Sequence, residues 1–458
     1  MKELNFRVRV ITPLFMSGAD QKTVEMRPPS IRGALRFWFR AMMGGLLKGD
    51  WQKVRQLEAS IFGSPEQGSS WQVKVGENTL QTLRAHDAVG PLDEGILYLG
   101  FNLFRRGRRP RGKPPEPDTL ERGCFWPSEK EENFSLQVAF CSNNLIVQQV
   151  VLGTLWLLIH CGGLGARVRR GFGALDILEH RGNDLVDLAW GWPQQGSKDF
   201  FHTQLNRIAG VYAQFAKLCG ITADPKDIFN RTAMVPSFSC FVRWQGLIFR
   251  PAMDKGWQKW TEALGVLGRE LRNFRRDPTS QSQFGATGDY KVVAPFLDGE
   301  LSSNSVADLR YDGFGLPIQY RSATRTGNVQ EQARREALRE GLSEQQANER
   351  ARRLQVRAIL QAERQVGDRW ERIDRRASPL IMRPIRFQDG SYGNLLLFFN
   401  AEFLPPKTRE LLKPISEGWP SSYRRMPDPV PVQTADLQVV SDFLNSLKQN
   451  QNYEVEEL

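Results

Sequence analysis

The residues best suited to chemistry lie in one stretch, Cys161 to Leu175 (CGGLGARVRRGFGAL), which holds five glycines and three arginines. Glycines let the backbone take positive φ and come close to a ligand. Backbone N–H groups and guanidiniums suit phosphates. The stretch follows a mostly aliphatic run, Leu145 to His160, that predicts a helix, and precedes Phe172 to Glu179, which predicts a strand. A Walker A loop ends in Gly-Lys-Ser/Thr on a helix; this loop has no lysine and runs into a strand, and a dinucleotide fingerprint fails on the same order of elements. The readings left are a tight turn with solvated arginines and a site for an RNA backbone through Gly163, Gly165, Arg167, Arg169, Arg170, Gly171 and Gly173.

A second basic set lies near the start. Arg32, Arg36 and Arg40 repeat at i, i+4 and i+8 along a predicted helix, with Arg27 just before it and Phe37 and Trp38 within it. Bases stack on aromatic rings and guanidiniums. The alternative is a solvated face opposite a buried stripe, and Trp38 falls on that stripe. A third set, Arg105 to Lys113, has five Arg and one Lys in nine residues. Prolines at 110, 114, 115 and 117 make it a mobile basic loop: a solvated insertion or an electrostatic arm.

Catalytic and metal-binding constellations are thin. His86-Asp87 has no second histidine at ligand spacing, and the serines lack a GxSxG setting. His160 could act as a general acid/base in RNA cleavage, since imidazole titrates near neutrality. Five scattered cysteines without a CxxC pair argue against a disulfide framework and against zinc. No metal or other cofactor is expected.

The elements that must position these residues follow from periodicity. Leu4 to Ile11 alternates as a strand. Ser30 is read as the cap of a helix from Ile31, with Gly44-Gly45 weakening or ending it, and a second helix covers Trp51 to Phe62. Strands are predicted at Trp71–Val75, Ile96–Phe104 and Phe134–Phe140, before the Leu145 helix, the glycine loop and the last strand. Stripped of insertions this is β-α-β-β-α-β, the ferredoxin-like or RNA-recognition-motif order. Gly191 to Ser197 is turn-rich and marks a junction. Beyond it come helices at Phe200–Cys219 and Gly256–Phe274, and strands at Ser237–Phe249, Gly313–Tyr320, Ile381–Phe387 and Leu395–Phe403. The charge-rich segment 329–366 reads as a helical hairpin, with Ser343 and Gln346 as a capping box and Glu349–Arg353 as an i,i+4 pair. The tail from Asn450 reads as acidic and frayed. No internal repeat is visible. The expected class is α+β, two ferredoxin-like domains with insertions: residues 1–190 carrying the glycine-rich loop, and 198–458 carrying the hairpin.

A net charge of +11, from 62 Lys+Arg against 51 acids, permits a nucleic-acid partner without requiring one. Neither a signal-peptide core nor an apolar run long enough for a membrane helix is present, so the expectation is a soluble cytoplasmic protein that binds no membrane.

Four pieces together resemble the RAMP superfamily of CRISPR-associated proteins: ITPLFMSGAD (Ile11 to Asp20), RPPSIRGALRFWFRAM (Arg27 to Met42), GGLGARVRRGFGAL (Gly162 to Leu175) and RRASPLIMRP (Arg375 to Pro384). More narrowly they are similar to a family supplying one subunit of the Cmr (type III-B) effector complex. The resemblance implies two ferredoxin-like domains and a non-catalytic, RNA-binding role in antiviral defence. The partners would be a CRISPR RNA, complementary target single-stranded RNA and other Cmr/RAMP subunits, with target engaged near the 3′ part of the guide. Two rival classes stay open: a metal-independent RAMP endoribonuclease using His160 or His86, and a scaffold that touches only proteins.

Overall fold

The computed structural model describes residues 2–458 apart from 21, 110–111, 113, 129, 131, 182–186, 194–195, 253–255, 277–287, 302–304, 420–424 and 434–435. Its main elements, in chain order, are β1 (Lys2–Val10), α1 (Pro28–Leu46), α2 (Trp51–Phe62), β2 (Trp71–Asn78), β3 (Phe134–Phe140), α3 (Leu145–Cys161), β4 (Leu175–Arg181), α4 (Ser197–Leu218), β5 (Trp244–Pro251) and α5 (Trp260–Arg275). There follow β6 (Ile318–Arg321), α6 (Ala323–Arg339), α7 (Glu344–Arg352), β7 (Arg357–Val366), β8 (Arg369–Arg372), β9 (Leu380–Arg386), β10 (Tyr392–Phe399), β11 (Thr408–Pro414), β12 (Val430–Val432), α8 (Gln438–Lys448) and β13 (Tyr453–Glu457).

The protein is α+β with several antiparallel sheets. One sheet runs β2-β3-β1-β4 and another β9-β10-β5-β13, with every neighbour antiparallel. Both place their strands in the same order. The first strand leads through a helix to an edge strand, the third returns beside the first, and a last helix leads to the fourth strand on the first strand's other side.

Two compact units emerge: residues 1–274, 380–401 and 443–458, and residues 275–379 with 402–442. The expected junction at 191–197 falls inside the first unit. There Trp192 bridges to Phe387, and its ring stacks on Phe201. The two sheets of this unit share one core, in which Phe6, Val8, Leu136, Trp38, Trp156 and Tyr212 meet Ile248, Leu397 and Phe399. The second unit has its own core beneath a sheet of order β6-β7-β11-β12, with β8 also paired to β7.

Local physics explains where the elements begin and end. In β1, Leu4, Phe6, Val8 and Val10 are buried and the residues between them are not, as alternation requires. α1 starts at Pro28, two residues before the expected Ser30 cap; prolines suit the first turn, whose N–H groups have no intrahelical partner. It also runs through Gly44-Gly45. A Cβ on Gly45 would lie 2.6 Å from the Phe241 carbonyl, so these glycines let the 238–241 segment cross the helix. α3 is apolar all round and buried from Val150 to Cys161; Asn144 caps it, accepting from the Ile146 N–H at 3.0 Å.

Three expectations need correction. Residues 94–99 are a short helix, not a strand, because the Asp93 carboxylate accepts from the Gly95 N–H at 2.7 Å and caps it. The hairpin is α6 and α7, with the Ser343–Gln346 capping box in place, but 357–366 is strand β7: Ala358, Leu360 and Ala362 alternate into the core. The tail from Asn450 is not frayed, since β13 pairs with β5 and Glu454 meets Arg250 at 2.9 Å.

Candidate nucleic-acid interface

The glycine loop begins where α3 ends. A helix C-terminus leaves carbonyls without intrahelical donors. Arg383, fully buried on β9, supplies them: its guanidinium donates to the carbonyls of Ile159, Gly162 (3.0 Å) and Leu175 (3.0 Å), and its Nε to that of Pro384 (3.2 Å). Burial pulls this arginine's pKa down to about 10, which still leaves it charged at neutrality. Arg383 lies in the RRASPLIMRP piece but was not among the expected site residues. Its one visible signal is a lone cation at an interior position of an apolar strand.

Beyond Gly162 the loop is fastened on two sides. On one, the Ala166 N–H donates to the Phe15 carbonyl, the Gly173 N–H to Pro13 and the Ile11 N–H to Ala174, each at 2.9 Å. The Thr12 hydroxyl donates to the Gly171 carbonyl at 2.8 Å and accepts from the Ala174 N–H at 2.9 Å. On the other side, the Met382 N–H donates to the Arg169 carbonyl at 3.2 Å.

This explains the glycines differently from the sequence reading. A Cβ on Gly173, whose φ is +67°, would lie 1.8 Å from the Leu164 carbonyl oxygen. One on Gly165 (φ +88°) would lie 2.6 Å from that of Phe15. At Gly163 the obstacle is the Gly173 carbonyl, at Gly171 the Leu264 side chain. The close approaches that require glycine here are to the protein's own atoms, and they fasten the loop to the segments beside it.

The fastened loop is a platform that displays the arginines. Arg167, Arg169 and Arg170 are each half-exposed. Arg167 donates to the Phe101 carbonyl at 2.9 Å, and the Arg169 guanidinium sits 5.1 Å over the Phe37 ring. Helix α1 and the loop, the two pieces singled out in the sequence, therefore meet: Phe37 lies under Arg169, and Trp38, buried in the core, packs against Gly162. Arg27 is the N-cap of α1, and its N–H points at the Met16 sulfur, one residue from Phe15, which holds the loop. Its guanidinium has no partner among the described residues. The first turn of α1 carries neither an acidic residue nor a side-chain cap, so the positive end of the helix dipole adds to Arg27 instead of being offset.

Arg32, Arg36 and Arg40 have an internal task. Arg36 and Arg40 grip the buried Glu58 carboxylate, Arg36 at 2.9 Å and Arg40 at 2.7 Å. Arg32 and Arg36 donate to the Phe62 carbonyl, and Arg36 also to that of Gly63 at 3.1 Å. They cap the C-terminal end of α2 and lie over the rings of Trp71, Phe62 and Trp51. The i, i+4, i+8 spacing was correct, but the sequence could not show that Glu58 and two open carbonyls stand opposite it.

The described part of the 105–113 segment is held by ion pairs. Phe104–Arg105 pairs with Asp118–Leu120, Arg106 meets Glu94 at 3.0 Å, and Arg109 meets the fully buried Asp118 at 2.9 Å. Residues 110, 111 and 113 lie outside the described set.

His160 is stacked on Trp156, with ring centroids 4.0 Å apart, and its Nδ1 is 3.0 Å from the Trp156 carbonyl. Burial holds its pKa down to about 3, so the ring is neutral and enclosed at physiological pH. His86 is exposed, and the Asp87 carboxylate beside it accepts from the Arg84 N–H. Cys124 and Cys240 are buried, with burial pushing both thiols up to about 12. Among the described residues no cluster of three or more His, Cys, Asp or Glu could hold a metal ion, and no helix is long and apolar enough to cross a membrane.

Residues 7–176, which contain both the α1 segment and the glycine loop, match the RAMP superfamily. Within it, the sequence is similar to subunits of a CRISPR complex. It is 29% identical over 185 residues to the CRISPR system Cmr subunit Cmr1-2 of Pyrococcus furiosus, covering 39% of this chain and 96% of the relative. It is 29% identical over 187 residues to Cmr1-1 of the same organism, covering 41% of this chain and 50% of that protein. In fold the whole chain is similar to the crystal structure of apo Cmr1 from Pyrococcus furiosus, with a TM-score of 0.50, 16% identity and coverage of 100% of this chain and 98% of that one.

Proposed function

We propose that the protein is a non-catalytic, RNA-binding subunit of a type III-B CRISPR (Cmr) effector complex, acting in antiviral defence in the cytoplasm. It would sit beside other Cmr/RAMP subunits and help engage target single-stranded RNA near the 3′ part of the CRISPR RNA. The observation that carries this reading is the platform. Within the superfamily-matched region, a loop locked by its own backbone holds Arg167, Arg169 and Arg170 in place, with Arg27 and an uncompensated helix N-terminus in the adjoining segment. Pre-positioned cations at an exposed edge fit a phosphate backbone without reading its sequence. The assembly partner is inferred from kinship with the Cmr1-1 and Cmr1-2 subunits. We read the two sheets, each in the same β-α-β-β-α-β order, as two ferredoxin-like domains.

The open face of the first sheet supports the loop over the sheet as the contact surface. It presents Asn5, Arg7, Arg9, Ser135, Gln137 and Lys74, with Arg7 paired to Glu179 and Arg9 to Asp176, and among the described residues offers no aromatic ring for a base. Of the two histidines of the nuclease alternative, His160 is enclosed beneath Trp156, whereas His86 is exposed. The test is fluorescence anisotropy of a labelled single-stranded RNA across a salt series, with the wild-type chain and the Arg167→Ala/Arg169→Ala/Arg170→Ala variant. Each lost phosphate contact lowers the slope of log K against log salt by about 0.7. A folded variant with unchanged affinity and slope refutes the loop assignment.

A further inference from the structure

The second compact unit, which only the first half of the RRASPLIMRP piece enters, carries a surface of its own. The inner face of its sheet is apolar: Tyr320, Ala358, Leu360, Ala362, Leu412 and Val430 enter the core. Strand alternation therefore directs the other set outward. Register gives its members. Along β7 these are Arg357, Ile359, Gln361, Glu363 and Gln365; opposite them stand Arg321 and Gln319 on β6, Arg372 and Trp370 on β8, and Arg409, Leu411 and Lys413 on β11. Gln361, Glu363 and Leu411 in the middle of the face are buried.

The side-chain contacts agree with this register. Glu363 accepts from Arg409 (2.9 Å) and from Lys413, and the Arg409 guanidinium lies 4.1 Å over the centre of the Trp370 ring. Five cations thus share the face with one carboxylate, Glu363, and that carboxylate is already occupied. Two rim acids stand near: Asp374 lies 3.4 Å from Arg372, and Glu417 lies 3.8 Å from Arg357. Arg321, Trp370, Arg372 and Arg409 are exposed, Trp370 at 40%. One side of the indole is occupied by Arg409.

We propose that this outer sheet face is a second contact surface for single-stranded RNA, with Trp370 stacking a base and Arg321, Arg372 and Arg409 taking phosphates. The occupant follows from the chemistry. A surplus of cations asks for a polyanion, and an indole backed by a guanidinium offers a π-surface that any base can use. The exposed groups stand towards the two ends of the face, Arg321 beside Arg357 and Trp370 beside Gln365, about 27 Å apart along β7 at about 3.4 Å per residue, so they would hold a strand at two points instead of seating a single anion. This inference adds to the loop reading above and shares its ligand, but it uses none of the loop's residues.

The test is a titration of the full-length chain with a short fluorescein-labelled single-stranded RNA at several salt concentrations, with circular dichroism and melting as folding controls. Arg321→Ala/Arg372→Ala is expected to lower the salt slope by about 1.4, from two lost phosphate contacts. Trp370→Ala is expected to weaken binding about tenfold, with Trp370→Phe recovering most of the loss. Folded variants with wild-type slope and affinity overturn the proposal, including the case where they lose only an acidic protein partner. The loop triple variant separates the two readings. Loss there with no loss in the face variants overturns this proposal alone; loss in the face variants with none at the loop supports this proposal and overturns the loop; no binding by wild type overturns both.

Discussion

Replacing His160 by phenylalanine should flatten part of the protein's acid sensitivity. The ring is fully buried and stacked on Trp156, and burial brings its pKa from an ordinary 6.5 down to about 3. The unfolded chain takes up this proton below about pH 6.5, and the folded protein only below about pH 3. Stability from this group is therefore fully present above pH 6.5 and is lost as pH falls towards 3. The full loss is about 5 kcal/mol, because each pH unit separating the folded and unfolded pKa values is worth about 1.36 kcal/mol. Between pH 7.5 and 5.0 it comes to about 2 kcal/mol. Phenylalanine keeps the stack on Trp156 and has nothing to titrate. It gives up the Nδ1 contact to the Trp156 carbonyl, a cost of about 1 kcal/mol that does not depend on pH in this range. Urea denaturation of both proteins at the two pH values isolates the effect, since all other groups are common to both. Wild type should lose about 2 kcal/mol more than His160→Phe on going to pH 5.0. Equal losses would refute the burial argument, and would return His160 to the candidates for acid–base chemistry.

Other consequences are open to simpler measurements. Arg383→Met leaves buried carbonyls of Ile159, Gly162 and Leu175 without donors, and should lower the unfolding free energy by about 3 kcal/mol or more, read by chemical denaturation. Gly173→Ala forces a Cβ onto the Leu164 carbonyl at a positive φ, and should cost about 2 kcal/mol or more on the same assay. Arg36→Ala and Arg40→Ala should each cost about 1 kcal/mol of stability while leaving the salt slope of RNA binding unchanged, because their guanidiniums serve Glu58 and the end of α2. A change of slope without a loss of stability would reverse that assignment.

What the sequence disclosed was local. Alternation located β1, the charge-rich segment announced the Ser343–Gln346 capping box, and the bounds of α2 were read to the residue. What it hid was set by tertiary contact. The second sheet's strands β5 and β9 are separated by most of the other compact unit, so the repeated strand order leaves no repeat to see along the chain. The apolar run after residue 94 has strand composition, yet one Asp93 hydrogen bond makes its first part helical. The glycine loop was found for its arginines and its position, but its glycines answer to the carbonyls of Phe15, Leu164 and Gly173. The α1 arginines have an unmistakable spacing, and only the fold shows Glu58 and the Phe62 carbonyl facing them. Arg383 was legible only as an oddity, since nothing local says that a helix end some 221 residues earlier lies within its reach.

The central claim is that the locked loop after α3 meets RNA, and photo-crosslinking tests it most directly. The purified chain would be irradiated with a single-stranded RNA carrying 4-thiouridine, digested, and its crosslinked peptides mapped by mass spectrometry. Adducts are expected on the peptides containing Arg167 to Arg170 and on the segment around Arg27, both reduced when the three loop arginines are replaced by alanine. Adducts confined to other parts of the chain, or none in a folded protein, would contradict it.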